Sequence, residues 1–577
     1  MIAILTDKPS VGKEIGRIIG ATKVRNGYVE GNGYMVTWTF GNMLSLAMPK
    51  DYGTQKLERN DFPFIPSEFE LMVRHTRTEN GWIPEIDAVL QLKVIERVFQ
   101  ACDTIIAATD ASRDGEMTFR YVYQYLKCTQ PCFRLWISSL TDESVRKGME
   151  NLKPDSCYDS LFLAADSRNK ADWILGINAS YAMCKATGLG NNSLGRVQTP
   201  ILAAISRRYR ERENHISSDS WPIYISLQKD GILFKMHRTQ DLPDKESATM
   251  FFQDCKLAHQ AQITGISHSV KEVLPPNIRY GFPASEVYDI AQSLYEKKLI
   301  SYPRTSSRYL TEDVFDSLPP IMARLLSWEL FPAAKGTGGI DISNLSRHVI
   351  SAEKANVHHA IIITGIRPGN LSEKEMQVYR LVAGRMLETF MAPCRIETTN
   401  VEAVCAAQHF KAEQTRIIEA GWHDVFMRSD MVPKSGYSVN ELPEVEKSDT
   451  LNVCGCNMVH KKQLPVNPFT DAELVEYMEQ NGLGTVSSRT NIIRTLVNRK
   501  YIRYSGKYIV PTPKGMFTYE TIRGKKIADT SLTADWEKQL AGLESGMITG
   551  QDFLNRIRTL AKEMTDDIFN TYSTKEE

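Results

Sequence analysis

Tyr302 stands in the stretch LISYPRTSSRYL, residues 299 to 310, with Arg304 and Arg308 close behind it. A phenol among guanidinium groups suits attack on a phosphodiester. Tyrosine is a poor nucleophile at its free pKa of about 10, and nearby positive charge both favours the phenolate and neutralises charge building on phosphorus. Taken alone, the stretch equally fits a Tyr-Pro turn with solvated arginines, because proline restricts the residue before it. Carboxylates form a second set. Asp7 follows the apolar run IAILT and Asp110 follows TIIAAT, each at the carboxyl end of an expected strand, where ligands of parallel sheets sit. Asp114 and Glu116 lie just beyond Asp110, and Lys8 adjoins Asp7. KPSVGKE lacks the leading glycine and the Ser or Thr after Lys13 that a phosphate loop needs, so ATP hydrolysis is not expected.

The elements that would carry these residues show in the hydrophobic periodicity. IAILT, YMVTWTF at 34 to 40 and TIIAAT at 104 to 109 read as strands, and a helix from Glu116 would bury Phe119, Val122, Tyr123 and Leu126. The pattern predicts a mostly parallel sheet. From 155 to 215 the chain reads as helical, whereas 216 to 275 and 395 to 460 alternate like antiparallel strands. Before Tyr302, Val287, Ile290, Ala291, Leu294 and Tyr295 share one helical face. At 577 residues and 42% hydrophobic content the chain exceeds one core and should form several domains. Its 69 basic and 69 acidic residues cancel, so contact with nucleic acid must come from local tracts. Arg207, Arg208, Arg210 and Arg212 form one, and Arg494, Arg499, Lys500, Arg503 and Lys507 another; at least half of these should be solvated surface. The ten cysteines are scattered except for Cys454 and Cys456, a pair that cannot complete a zinc site alone. With no signal-type segment and no eighteen-residue apolar run, a cytoplasmic, non-membrane protein is expected.

LISYPRTSSRYL resembles the active-site motif of the type IA DNA topoisomerases, particularly the topoisomerase III branch. Other blocks agree in the same order: MIAILTDKPSVGKEIG at the amino terminus, ATDASRDGEMTFRYVY at 108 to 123, RLWISSLT at 134 to 141, KADWILGINASYAM at 170 to 183 and SLGRVQTPIL at 193 to 202. VHHAIIIT at 357 to 364, LVEYMEQNGLGTVSSRTNII at 474 to 493 and LTADWEKQL at 532 to 540 complete the series. Colinear agreement of so many blocks carries weight that no single block has.

The resemblance implies a multidomain α/β fold, a Toprim-type α/β domain joined to a toroidal type IA core. It divides the chain into a Toprim-like domain at 1–155, a helical DNA-binding domain at 156–215 and 470–577, a β-rich hinge at 216–275 and 400–469, and a nucleophile-bearing domain at 276–399. Tyr302 would cut one strand through a 5′-phosphotyrosine, assisted by Arg304, Lys8 and His358, with Asp7 in the place of a family glutamate thought to protonate the leaving oxygen. Asp110, Asp114 and Glu116 would hold Mg2+, with Ser112 in place of the family's second aspartate, although alone the loop also reads as an Asp-Gly turn capping a helix. Arg168, Asp172, Arg196, Gln198, Thr199, Ser487, Ser488 and Arg489 would line a groove for single-stranded DNA, the substrate being negatively supercoiled DNA and the working unit a monomer, cytoplasmic and nucleoid-associated. Ser306 stands for a common aspartate, Asn42 for a family histidine, and His359 adjoins His358. These departures leave open a catalytically weak relative that only binds DNA, and a nuclease or primase-like enzyme built on the acidic loop, which would leave Tyr302 unexplained.

Overall fold

The computed structural model describes residues 1–573 apart from 55, 80, 138, 139, 141, 189, 191, 276–281, 304, 306, 329, 333–339, 356, 357, 427–441, 486 and 487. The amino-terminal sheet runs in the order Lys153–Pro154, Cys132–Arg134, Thr104–Ala107, Ile2–Thr6, Tyr34–Trp38, Tyr28–Gly31, Lys23–Arg25. Its four middle strands, Cys132–Arg134 to Tyr34–Trp38, are parallel, and antiparallel strands finish both edges. Ile4, Leu5, Ile105 and Ile106 are fully or almost fully buried because helices cover both faces, which is why these strands read as continuous apolar runs. Helix Pro9–Ile19 lies so close to the sheet that a Cβ at Gly12 would come within 2.8 Å of Trp38 and 2.9 Å of Thr6 Oγ1.

Helix Arg113–Tyr125 begins three residues before the expected Glu116, because Ser112 caps it by accepting from the Gly115 amide at 3.2 Å. The turn into it is tight. A Cβ at Gly115 would sit 2.0 Å from the Asp110 carbonyl oxygen, so only glycine closes this loop. Beyond the sheet, helix Asp159–Thr187 packs with Ser531–Glu544 and Gly550–Ser573 around Trp173, Trp536 and Phe553. Helix Gln198–Glu213 packs with Asp471–Gln480, Arg489–Asn498 and the hairpin Ile502–Ser505/Tyr508–Pro511 around Ile201, Leu474 and Tyr501.

The β-rich region is a closed barrel of Ile223–Lys229, Ile232–Arg238, Gln408–Glu419, Cys394–Cys405, Gln260–Val273 and Thr450–Met458. Strand Cys394–Cys405 starts before the expected boundary at 400, since it continues its pairing down to Cys394 opposite Val273. It turns into Gln408–Glu419 through Ala406 and Ala407, both left-handed at φ 48° and 59°. Two-residue hairpin turns need that conformation at both central positions, and alanine pays a steric penalty there that glycine avoids. Ala407→Gly is therefore expected to stabilise the barrel by about 1 kcal/mol, seen as a higher urea midpoint; an unchanged or lower midpoint would show that the turn is unstrained.

The Tyr302 unit has its own core, with Leu294, Ile300, Met322, Ile363, Tyr379 and Leu387 buried between helices Ala284–Glu296, Leu318–Ser327 and Glu373–Phe390. It is joined to the barrel through the segments after Val273 and before Cys394. Its other contacts include polar side chains at the surface: Lys298 to Glu14 on the sheet domain at 2.6 Å, and Asp289 to Arg494 at 3.0 Å. Exposed pairs of this kind are worth roughly 0–1 kcal/mol each, so they close an interface without locking it.

Candidate active site

Four chain segments converge on the phenol of Tyr302. Ile300 bridges Ile363, and the Ser301 amide donates to the Ile362 carbonyl at 2.8 Å, setting Tyr302 at the end of a short strand pairing. Thr305 Oγ1 donates to the His358 carbonyl at 2.9 Å, tying the tyrosine loop to the histidine segment. The phenol donates to Asp110 Oδ2 at 3.2 Å, and His358 Nε2 lies 3.6 Å from Asp110 Oδ1. Tyr302 packs on the His358 ring at 4.6 Å and edge-on to Tyr295 at 5.3 Å.

Asp7 and Lys8 complete the cluster from the end of strand Ile2–Thr6. Thr6 Oγ1 donates to the Lys8 carbonyl at 3.0 Å, and Pro9 opens the following helix, so the turn presents both side chains toward the same cavity as Asp110, Tyr302 and His358. That cavity is only about 50 Å³, room for one or two waters and not for a nucleotide. The arrangement is a closed one: with the Tyr302 unit in this position, nothing larger than water fits between the phenol and Asp7, Lys8 and Asp110.

The three expected metal ligands do not face one another. Asp110 points to Tyr302 and His358, whereas Asp114 pairs with Arg168. Glu116 turns into the domain, fully buried, 2.9 Å from Arg120 and 3.4 Å from Arg134, because the earlier helix start places it on the covered face. Burial pushes the Glu116 carboxyl up and the Arg134 guanidinium down, and each charge is held by the other. Arg134 also donates to Thr109 Oγ1 at 2.8 Å and to the Asp110 carbonyl at 2.5 Å, so this pair braces the acidic loop from beneath. Among the described residues no group of three or more His, Cys, Asp or Glu side chains is gathered to hold a metal ion. Asp110 and Asp114 lie outside that buried network but on different cavities, so Asp110 alone faces the tyrosine's cavity, which fits hydrated magnesium, an ion that needs only one or two carboxylates. Glu116 does not fit as a ligand in this arrangement.

Arg304, Ser306 and Ser487 lie outside the described residues. Arg308 is exposed and lines a separate apolar cavity with Leu310, Ile361 and Phe390, so it does not serve Tyr302. Among the described residues, Lys8 is the cation that shares the tyrosine's cavity. His359 is buried, its Nδ1 is 2.7 Å from the Ala360 carbonyl, and burial lowers its pKa, which makes it a packing residue. Asn42 accepts from Thr118 at 2.6 Å, bracing the same helix. Tyr295 was missed as a neighbour; it read only as part of a helical face, and burial, with Asp7 and Asp110 adding, pushes its phenol far up.

A larger groove of about 510 Å³ opens beside the acidic loop, lined by Asp114, Arg168, Asp172, Gln198, Ser488 and Arg499 among others. Arg168 is shared between groove and loop through its pair with Asp114. Arg196 lines the groove but is largely buried, forked onto Asp172 at 2.9 and 3.3 Å and stacked on Trp536 at 4.8 Å. Thr199 is buried and accepts from the Gly195 amide at 2.9 Å, a structural role. Gln198 receives Arg499 at 2.7 Å and donates to the Ser193 carbonyl at 3.1 Å. Ser488 closes a turn by accepting from the Thr485 amide at 2.9 Å, and Arg489 is half-buried with its pKa lowered by burial. Arg499 is the groove cation that sequence reasoning left in a general basic tract.

Residues 156–555 match the family described as DNA topoisomerase, and residues 2–140 match the Toprim domain. DNA topoisomerase 3 of Bacillus licheniformis is 31% identical, covering 98% of this chain and 81% of the relative. The Bacillus subtilis protein of the same name is 30% identical over 99% of this chain and 82% of its own length. Full-length topoisomerase I from Thermotoga maritima superposes with a TM-score of 0.71 at 20% identity, covering 99% of this chain and 90% of that one.

Proposed function

Because the chain belongs to the type IA DNA topoisomerases and resembles their topoisomerase III members, we propose that Tyr302 is the nucleophile that opens one DNA strand through a 5′-phosphotyrosine. The observation that supports this most is the meeting of its phenol with Asp110 at 3.2 Å in a cavity shared with Asp7, Lys8 and His358. The phenolic oxygen, its proton released to solvent water, attacks phosphorus, the bond from phosphorus to the 3′ oxygen breaks, and that oxygen leaves with a proton from Asp7. Lys8 and His358 face the phosphate oxygens as charge accumulates there. One phosphodiester is exchanged for another, so no nucleotide fuel is consumed, and the free 3′ oxygen reverses the step after a second strand has passed.

The Toprim domain of these enzymes is a metal-binding fold. We assign Mg2+ to Asp110, where the ion would supply positive charge for phosphate oxygens, with Asp114 joining only once released from Arg168, and give Glu116 a bracing part. Family membership carries single-stranded DNA binding with it. The groove beside Arg168 and Arg499 suits that strand, the barrel suits a hinge, and negatively supercoiled DNA, a monomeric working unit and a cytoplasmic, nucleoid-associated location complete the reading. No helix of the described residues is long and apolar enough to cross a membrane.

An oligonucleotide labelled at one end tests the linkage. After denaturant quench, label at the 3′ end should migrate with the protein and label at the 5′ end should not; the reverse pattern, or no transfer, refutes a 5′-phosphotyrosine. Arg168→Ala is expected to weaken single-strand binding and to lower the salt slope of log affinity by about 0.7, one phosphate contact. Anisotropy titrations at several salt concentrations check it, and an unchanged slope would remove Arg168 from the groove.

A further inference from the structure

The cysteines at 454 and 456 do not act together. Where Thr450–Met458 pairs with Ile223–Lys229, Val453 faces Leu227 and Gly455 faces Ser226, which leaves Cys454 as the extra residue of a β-bulge. Cys454 is exposed, while Cys456 turns inward and packs on the barrel core that contains Cys255 and Cys405. Three elements thus bring three free thiols together: helix Lys245–Leu257, the end of Cys394–Cys405, and Thr450–Met458. Cys456 Sγ donates to the Phe252 carbonyl at 3.9 Å, one turn before Cys255 on helix Lys245–Leu257.

The three are not equivalent. Cys255 and Cys405 are buried, and Cys456 is the half-exposed member. The neighbouring Cys255 thiol lowers the Cys456 thiol below its ordinary value. Although the neighbouring Cys405 works the other way, Cys456 and burial push Cys255 up to about 11, and the Cys255 thiol together with burial raises Cys405 further. The outermost sulfur is therefore the one that ionises first, with a protonated thiol directly behind it.

We propose that Cys255, Cys405 and Cys456 form an oxidative modification site for small hydroperoxides, at which Cys456 is the attacking sulfur and Cys255 the resolving one. The Cys456 thiolate attacks one oxygen of hydrogen peroxide, the O–O bond breaks, and hydroxide leaves a sulfenic acid. Cys255 then attacks that sulfur, the S–O bond breaks, and the oxygen departs as water with the Cys255 proton. Two thiols are oxidised to one disulfide and one peroxide is reduced to two waters. The new bond fastens helix Lys245–Leu257 to strand Thr450–Met458 and stiffens the barrel. Its effect on activity rests on the reading of the barrel as the hinge for the Tyr302 unit.

Full-length protein is treated with hydrogen peroxide, remaining thiols are alkylated, and non-reduced peptides are mapped by mass spectrometry. The expected product is a Cys255–Cys456 link that dithiothreitol reverses, abolished in Cys255→Ser and in Cys456→Ser and retained in Cys454→Ser. Plasmid relaxation should slow several-fold on oxidation and recover with dithiothreitol, while covalent trapping of an oligonucleotide stays unchanged. Absence of the link in native protein, or a link through Cys454, overturns the site. A correct link with undiminished relaxation overturns the stiffening and counts against the hinge reading, without touching the nucleophile.

Discussion

Tyr302→Phe is expected to bind single-stranded DNA as tightly as the parent and to form no covalent adduct. Relaxation of supercoiled plasmid should fall by at least ~10⁴-fold, the scale on which removing a nucleophile acts. The substitution deletes one oxygen from a half-buried ring whose packing on His358 and Tyr295 is otherwise kept, and the lost bond to Asp110 is worth about 1–3 kcal/mol in stability. Circular dichroism and gel shift should therefore match the parent while the topoisomer ladder disappears. Residual relaxation within tenfold of the parent would mean that another group attacks the phosphate. Metal-dependent nicking that survives the change would instead indicate a nuclease centred on Asp110.

Arg134→Met should produce the largest loss of stability. Both Arg134 and Glu116 are fully buried, and truncating the cation leaves the carboxylate with Arg120 alone in a site that water does not reach. Breaking such a pair costs about 3–5 kcal/mol, whereas removing both charges together costs far less. Chemical denaturation followed by intrinsic fluorescence should show the single variant unfolding at much lower denaturant, with Glu116→Gln/Arg134→Met recovering most of the difference. The cycle also settles the part played by Glu116. If Glu116→Gln leaves stability intact and shifts only the magnesium dependence of cleavage, Glu116 is a ligand after all and the bracing assignment falls.

Local pattern made much of the centre legible. Apolar strand runs ending at Asp7 and Asp110 and the amphipathic helix before Tyr302 are short-range features, and the structure places Asp7, Lys8, Asp110, Tyr302 and His358 around one cavity. What escaped was direction. Glu116 reads as a loop carboxylate until Ser112 caps the helix early and rotates it inward. Arg308 lies six residues from Tyr302 yet lines a different cavity, because the chain between them bends through Ser307 and bridges Leu310 to Ile350. Arg196 and Thr199 are placed in the groove by resemblance alone, and no local pattern shows that Asp172 and the Gly195 amide are their partners. The bulge that separates Cys454 from Cys456 depends on a partner strand more than two hundred residues away, which no local spacing encodes.

Strands Gln260–Val273, Cys394–Cys405 and Gln408–Glu419 extend from the barrel toward the Tyr302 unit as a ribbon, held in register from Ile266 opposite Val401 to Val273 opposite Cys394, with Trp422 fastened to the Val273 carbonyl at 2.7 Å. Tension drawn along such a ribbon loads its rungs in parallel, as shear, whereas tension across it would peel them singly. A pull on the Tyr302 unit that follows the strand axis would thus be borne by all the rungs together, without fraying the arm. An optical-tweezer measurement in which yield force depends on the direction of loading would register that mechanical anisotropy directly.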